Sequence, residues 1–290
     1  MTATPVADRL LIASDEPAGD WRALDWTAEP VPGAPWQPWE QVSLYGTPLW
    51  ARLSAAQRLE LSRHEAASVL AAAVWKENVL MRTLLRVADG QSPRGARARY
   101  GLTEIADECR HSLMFARLLD VLDVPAYGPP AAVRRVGSAF ATVAHPVEIF
   151  AAALIAEEVL DDFQRATVRD DAVQPLVRDV SRIHVVEEAR HVSFARDELA
   201  ARWAAAGPAT RAAASLTVAG VAGLLVGALV DPRVYAAVGI DPRDGARAAR
   251  TSPHRRALLR SATGRLVRDF TDLGVISTAS RPLWRRAGLL

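Results

Sequence analysis

The chain contains one cysteine, Cys109, and one lysine, Lys76, in 290 residues. A lone thiol excludes an intrachain disulfide, which fits a reducing compartment, so the expected location is cytoplasmic. Net charge is only +2, which leaves no electrostatic case for a nucleic-acid partner. The N-terminus lacks a basic start followed by an apolar run and a small-residue cleavage site, so no secretory signal is expected. No stretch alternates as a strand does, and no glycine-rich nucleotide loop follows a strand. Half the residues are apolar and 23% charged, a globular composition with enough length for one large domain or two small ones.

Helical segments account for most of the rest. Residues 1–50 hold many prolines and five tryptophans with little periodicity, and read as an irregular arm anchored by its indoles. Ser54 is a candidate cap for a helix that runs to Gly90 without proline or glycine. Further helices are expected over about 97–121, from Pro146 through Asp170, and over about 173–206, ending at Gly207-Pro208. Ala212 to Val230 carries no charge and is just long enough to span a bilayer. Its Ala and Gly content makes insertion weakly driven, so a core helix is expected, with no membrane partner. Shorter helical pieces follow around 232–238 and 252–273. The segment 231–290 has twelve arginines against five aspartates, read as a solvated surface. The expected fold is all-α. A four-helix core (54–206) and added helices (208–275) form one domain, 51–290, behind the arm.

Two five-residue words, "DECRH" at 107–111 and "EEARH" at 187–191, repeat with a shift of eighty. The shift carries Glu108 onto Glu188, Arg110 onto Arg190 and His111 onto His191. It also carries Glu77 onto Glu157, each thirty-one residues before its partner acid. Glu and His at i, i+3 share a helix face. One Glu from each of two helices, plus Glu-x-x-His from each of the other two, is the pattern that holds two metals in a helical bundle. Four carboxylates are too costly to bury unpaired, whereas two divalent ions neutralise them, and mixed oxygen and nitrogen donors suit iron or manganese. A single E-x-x-H is more often a solvated helix face; the duplicated set is not readily an accident. The repeat fails at one place, where His184 stands opposite Glu104. His184, Glu188 and His191 form one stripe by i, i+4, i+7 spacing, so His184 is a third candidate imidazole, or else a packing residue.

These residues resemble the diiron N-oxygenases typified by p-aminobenzoate N-oxygenase, over roughly 54–206. The resemblance implies a ferritin-like bundle whose diiron centre is held by Glu77, Glu108, His111, Glu157, His184, Glu188 and His191. Glu158 competes for the Glu157 role, though both spacings favour Glu157. Asp107 and Glu187 are candidates to accept hydrogen bonds from imidazoles of the opposite helix. Arg110 and Arg190 are candidates to pair with those acids or with Asp161. Leu80, Phe115, Leu154 and Phe194 lie near the ligand stripes and are candidates to line an apolar cavity. Cys109 reads as a small packing residue. The implied activity is oxygenation of an amine, aromatic first of all, with two iron ions, O2 and an external electron donor; a homodimer is expected by resemblance alone. Two alternatives stay open: a diiron C–H hydroxylase or desaturase, and a ferritin-like metal-binding or storage protein. Any arginine for a substrate anion, among Arg265, Arg268 and Arg281, is undetermined by the sequence.

Overall fold

The computed structural model describes residues 5–15 and 18–290, and every regular element among them is helical. In chain order they are α1 (Val6–Ala13), two 3-10 turns (Trp21–Ala23 and Trp39–Gln41), α2 (Pro48–Arg52), α3 (Ala55–Asp89), α4 (Ala96–Leu122), α5 (Ala131–Val143) and α6 (Pro146–Arg169). Then come α7 (Pro175–Ala205), α8 (Pro208–Ala228), a 3-10 segment Pro232–Val238, α9 (Pro242–Thr251), α10 (Pro253–Ala262), α11 (Gly264–Leu273) and α12 (Arg281–Arg286).

Local chemistry sets the boundaries of the four long helices. Ser54 caps α3 with a capping box: its hydroxyl accepts from Gln57 N while Gln57 accepts from Ser54 N. At about 1.5 Å per residue, the 35 residues of α3 reach roughly 50 Å. Asp123 stops α4 in the left-handed region at φ 43°. His145 and Glu148 form a second capping box before α6, with Pro146 in its first turn. Gly207 separates α7 from α8, where Pro208 restarts the chain as a helix.

The hairpins α3–α4 and α6–α7 are the most extensively packed pairs, and they face one another through α4·α7 and α3·α6. The main apolar cluster runs from Leu80 and Leu84 through Phe150, Leu154 and Leu199 to Val218, Leu266, Phe270 and Trp284, so the C-terminal helices share the core of the bundle. Among the described residues α8 is the one helix long and apolar enough to cross a membrane, and a third of its apolar window is buried. Ala214, Val218, Ala219 and Ala222 form its buried side, and it packs on α6 and α12.

Two features depart from the expectation. The N-terminal arm is not wholly irregular: α1 packs against α4 and α7. Trp36 is buried, whereas Trp21, Trp26, Trp39 and Trp50 are only partly so. The arm is also pinned by polar contacts, Gln41 Nε2 donating to Phe163 O at 2.8 Å and Ser43 N to the Glu65 carboxylate at 2.8 Å. The second departure is α5, thirteen residues between prolines to which the sequence reading assigns no helix. Gly137 lets α5 sit on α3, since a Cβ there would lie 2.6 Å from Trp75 Cζ2.

Candidate metal centre

One helical turn separates Glu108 from His111 on α4 and Glu188 from His191 on α7, so each pair projects from one face. α3 brings Glu77 and α6 brings Glu157 to the same place. All six side chains are at most 1% exposed. Donor atoms of Glu108, His111, Glu188 and His191 lie within 4.8 Å of one another, as do those of Glu77, Glu108 and Glu157. Glu108 belongs to both groups. His184 is fully buried beside them, its Nε2 3.5 Å from Glu188 and 3.9 Å from Glu77, but it belongs to neither group.

The imidazoles are aimed by the opposite hairpin. His111 Nε2 lies 2.9 Å from Glu187 Oε2, and His191 Nε2 lies 3.1 Å from Asp107 Oδ2. Their Nδ1 atoms turn inward, His111 to within 3.1 Å of Glu108 and His191 to within 3.1 Å of Glu108 and 3.4 Å of Glu188. An acid on Nε2 selects the tautomer with its lone pair on Nδ1, the atom facing the carboxylates. Arginines cross the same seam: Arg110 donates to Asp107 at 2.5 Å and to Glu187 at 3.1 Å, while Arg190 donates to Asp107 at 3.3 Å.

The enclosed charge is held at a cost that protons partly relieve. Burial, then repulsion from Glu108, pushes the Glu77 carboxyl well above its usual range. Burial and Glu188 do the same to Glu157. Burial also opposes ionisation of Glu108 and Glu188, but the charges and hydrogen bonds of the neighbouring imidazoles, His191 foremost, together hold both carboxyls low. Burial works against the His111 cation too, yet its bonds to Glu108 and Glu187 raise its pKa to about 9. His184 is driven well down by burial and by His111, leaving a neutral imidazole.

The donor set fits two cations. Nine buried side-chain atoms here lack a hydrogen-bond partner: both oxygens of Glu77 and of Glu188, one each of Glu108 and Glu157, both nitrogens of His184, and Nδ1 of His191. Buried polar atoms are ordinarily satisfied. So many orphans converging on one point, all of them oxygen or imidazole nitrogen, match hard or borderline divalent metals.

The structure adds two residues to this neighbourhood that the sequence reading did not place there. Lys76 is 9% exposed, with Nζ 2.7 Å from Glu157 and 3.2 Å from Glu77. The signal was its being the only lysine, next to Glu77. Glu104, the residue at which the repeat fails, is also buried, and one of its oxygens has no partner. Burial raises its pKa to about 8, with His191 as the main opposing influence. It lies one turn before Glu108 on the same stripe.

Glu158, the competitor for the Glu157 role, turns away from the cluster and pairs with Arg196, leaving the inward position to Glu157, as both spacings favour. Other expected placements are corrected. Asp161 pairs with Arg165 at 2.6 Å rather than with Arg110 or Arg190, because it lines a surface groove with Arg196, Arg265 and Arg268. Cys109 is exposed rather than packed, with its thiol 3.4 Å from Met81 sulfur. An apolar cavity of about 370 Å3 lies between α3, α5, α6 and α8 and reaches Lys76 and Glu157. Leu80 lines it, but Phe115, Leu154 and Phe194 do not. Phe115 stacks 4.9 Å from His184, Phe194 packs on Tyr100 and Phe150, and Leu154 belongs to the main core. The walls that sequence periodicity did not reveal are Val136 and Phe140 of α5, and Gly220 and Val221 of α8.

Comparison with known proteins agrees with this geometry. The chain is 30% identical over 158 residues to uncharacterized proteins of Mycobacterium tuberculosis (strain ATCC 25618 / H37Rv) and Mycobacterium bovis (strain ATCC BAA-935 / AF2122/97). The match takes in 53% of this chain and 46% of each relative, so it spans about half the length of those curated relatives. Residues 2–274 match the model of the family described as P-aminobenzoate N-oxygenase AurF. Nearly the whole chain is covered, and it belongs to the p-aminobenzoate N-oxygenase AurF family.

Proposed function

We propose that this chain is a non-haem diiron oxygenase that transfers oxygen from O2 to the nitrogen of an aromatic amine. The observation that carries the reading is the convergence of nine buried donor atoms without hydrogen-bond partners in a cluster that an apolar cavity reaches at Glu157. Glu77, Glu108, His111, Glu157, Glu188 and His191 would hold the two ions, with His184 beside them. Bound iron supplies the redox chemistry of O2 activation, drawing electrons from an external donor.

The remaining work falls to the protein's own residues. Asp107 and Glu187 hold His191 and His111 in the orientation that presents Nδ1. Trp75, Val79, Leu80, Phe140, Ile149 and Val221 exclude water and receive the apolar body of the substrate. The reacting nitrogen then points toward Glu157, the carboxylate at which the cavity meets the cluster. The cavity lining contains no arginine; Arg265 and Arg268 face the separate groove beside Glu158. That favours a neutral arylamine over one bearing a carboxylate at its far end, since an unpaired anion in an apolar cavity carries a heavy desolvation cost.

The test is turnover of the iron-loaded protein with a chemical reductant against neutral and anionic arylamines. Hydroxylamino, nitroso or nitro products are expected, with neutral amines preferred. Products hydroxylated only on carbon would replace this reading with that of a C–H hydroxylase. Failure to bind about two metals per chain would refute the dimetal oxygenase altogether.

A further inference from the structure

The C-terminal helices bring their positive charge to one place. Of the twelve arginines in 231–290, six line a single groove of about 720 Å3: Arg250, Arg255, Arg256, Arg260, Arg285 and Arg286. Arg250 stands in the last turn of α9, the next three belong to α10, and the last two close α12. Ser252 turns the corner between α9 and α10 and caps the latter, accepting from Arg255 N at 3.2 Å. α12 reaches the same place by packing on α8.

No Asp or Glu lines the groove. Just outside it, Arg233 pairs with Asp231 and Arg247 with Asp244. Among the described residues, none of the six guanidinium groups in the groove has a carboxylate within ion-pair distance or a hydrogen-bond acceptor. Arg255 is partly buried and opposes the upward push of burial on the Glu65 carboxyl; the other five are exposed. Helix C-termini favour a cation in the last turn, which accounts for Arg250, Arg260, Arg285 and Arg286 singly but not for their convergence. Like charges gathered from three helices repel one another, and no side chain offsets them. The floor between them is apolar, formed by Val226, Val230, Leu259 and the Tyr235 ring. α8 separates this groove from the substrate cavity: Gly220, Val221 and Leu224 line the cavity, whereas Gly223, Val226 and Gly227 line the groove.

We propose that this groove binds a small organic anion bearing a diphosphate or longer phosphate chain. The phosphates lie on the arginine rim, and the apolar or ring portion of the ligand lies on the floor. Guanidinium forks pair bidentately with phosphate oxygens. Six uncompensated charges suit a multiply ionised group better than a single carboxylate. The volume of the groove is that of a site for a nucleotide-sized molecule. This site is separate from the metal centre, and its assignment does not depend on the oxygenase reading.

The test is calorimetric titration of the iron-loaded full chain, freed of excess metal, with ADP, coenzyme A and inorganic pyrophosphate at about 0.15 M salt. ADP or coenzyme A is expected to bind saturably, and on the order of tenfold more tightly than pyrophosphate, which cannot use the apolar floor. Arg250→Ser and the double variant Arg256→Ser/Arg260→Ser, each checked for an unchanged thermal melt, should weaken that binding by on the order of tenfold or more. Arg243→Ser, which removes an exposed arginine outside the groove, should leave it unchanged. Absence of saturable binding by both organic probes would overturn the proposal, as would pyrophosphate binding as tightly as they do. Equal weakening in Arg243→Ser would also overturn it, since that marks attraction to net charge alone. Retention of heparin with all three small probes refused would replace it with contact to a polyanion.

Discussion

Asp107→Ala tests the idea that each imidazole is aimed from the opposite hairpin. In the native protein the Asp107 carboxylate takes His191 Nε2 at 3.1 Å and the guanidinium groups of Arg110 and Arg190. Without it His191 loses its buried acceptor, and the tautomer with a proton on Nδ1, 3.1 Å from Glu108 Oε1, becomes the better one. Metal binding demands the other tautomer, so the variant must rearrange a proton and leave a buried N–H unpaired, a loss of about 1–3 kcal/mol. The same figure follows from metal sites generally, where removing such a partner weakens binding by about 10–100-fold, or roughly 1.4–2.7 kcal/mol. We expect Asp107→Ala near the upper end and Asp107→Asn, which keeps an acceptor oxygen, near the lower end. Anaerobic Mn(II) titration at neutral pH measures it directly, with Asp161→Ala as the control for loss of a surface acid. Affinity equal to that of the control would refute the outer-shell argument, however well Asp107→Ala folds.

Further expectations concern the same centre and its scaffold. Glu157→Gln should lower metal uptake toward one ion per chain, whereas Glu158→Gln, which only breaks the pair with Arg196, should not; elemental analysis of the two variants separates them. In the metal-free protein, Glu104 has its pKa raised to about 8 and His111 to about 9. Both hold protons more tightly folded than unfolded. Their stabilisation is complete below the unfolded values, near 4.5 and 6.5 respectively, and is lost as pH climbs through 8 and 9. The melting temperature of chelator-treated protein should therefore fall between pH 6 and 9, and the gap to metal-loaded protein should widen, because metals replace the protons; a constant gap would contradict this. Gly137→Ala should cost about 1–3 kcal/mol through the clash with Trp75, seen as a lower melting temperature with metal stoichiometry unchanged.

Much of the centre was legible because metal coordination imposes discrete spacing on helices. Glu108 and His111 must lie one turn apart, and the second hairpin must repeat the arrangement, so a self-shift of the sequence brings the six residues into register. The cap at Ser54 and the stops near Gly90 and Gly207 were readable for a similar reason, since each is a local backbone requirement. Other features depend on contacts between segments distant in sequence. Lys76 stands out by rarity, but only the approach of α6 to α3 shows that it meets Glu157. Glu158 carries the same charge as the inward acids, and the rotation of α6 alone sends it to Arg196 on α7, whereas the Asp161–Arg165 pair is an i, i+4 contact within α6. Phe115, Leu154 and Phe194 share the periodicity of cavity walls, yet periodicity reports burial and not which buried residues border empty space. The cavity instead depends on α5, a short helix between prolines, and on the small residues of α8.

The crossing of acids between hairpins also constrains how the sequence can change. His111 leans on Glu187, and His191 on Asp107, while Arg110 ties those two acids together and Arg190 adds a bond to Asp107. Neither hairpin therefore contains its own complete imidazole support, although each carries the same word. A loss at 187 is registered at 111, seventy-six residues away, and one at 107 is registered at 191. The two copies are thus not spares for one another: they are bound to drift together, each serving as the environment in which the other is selected.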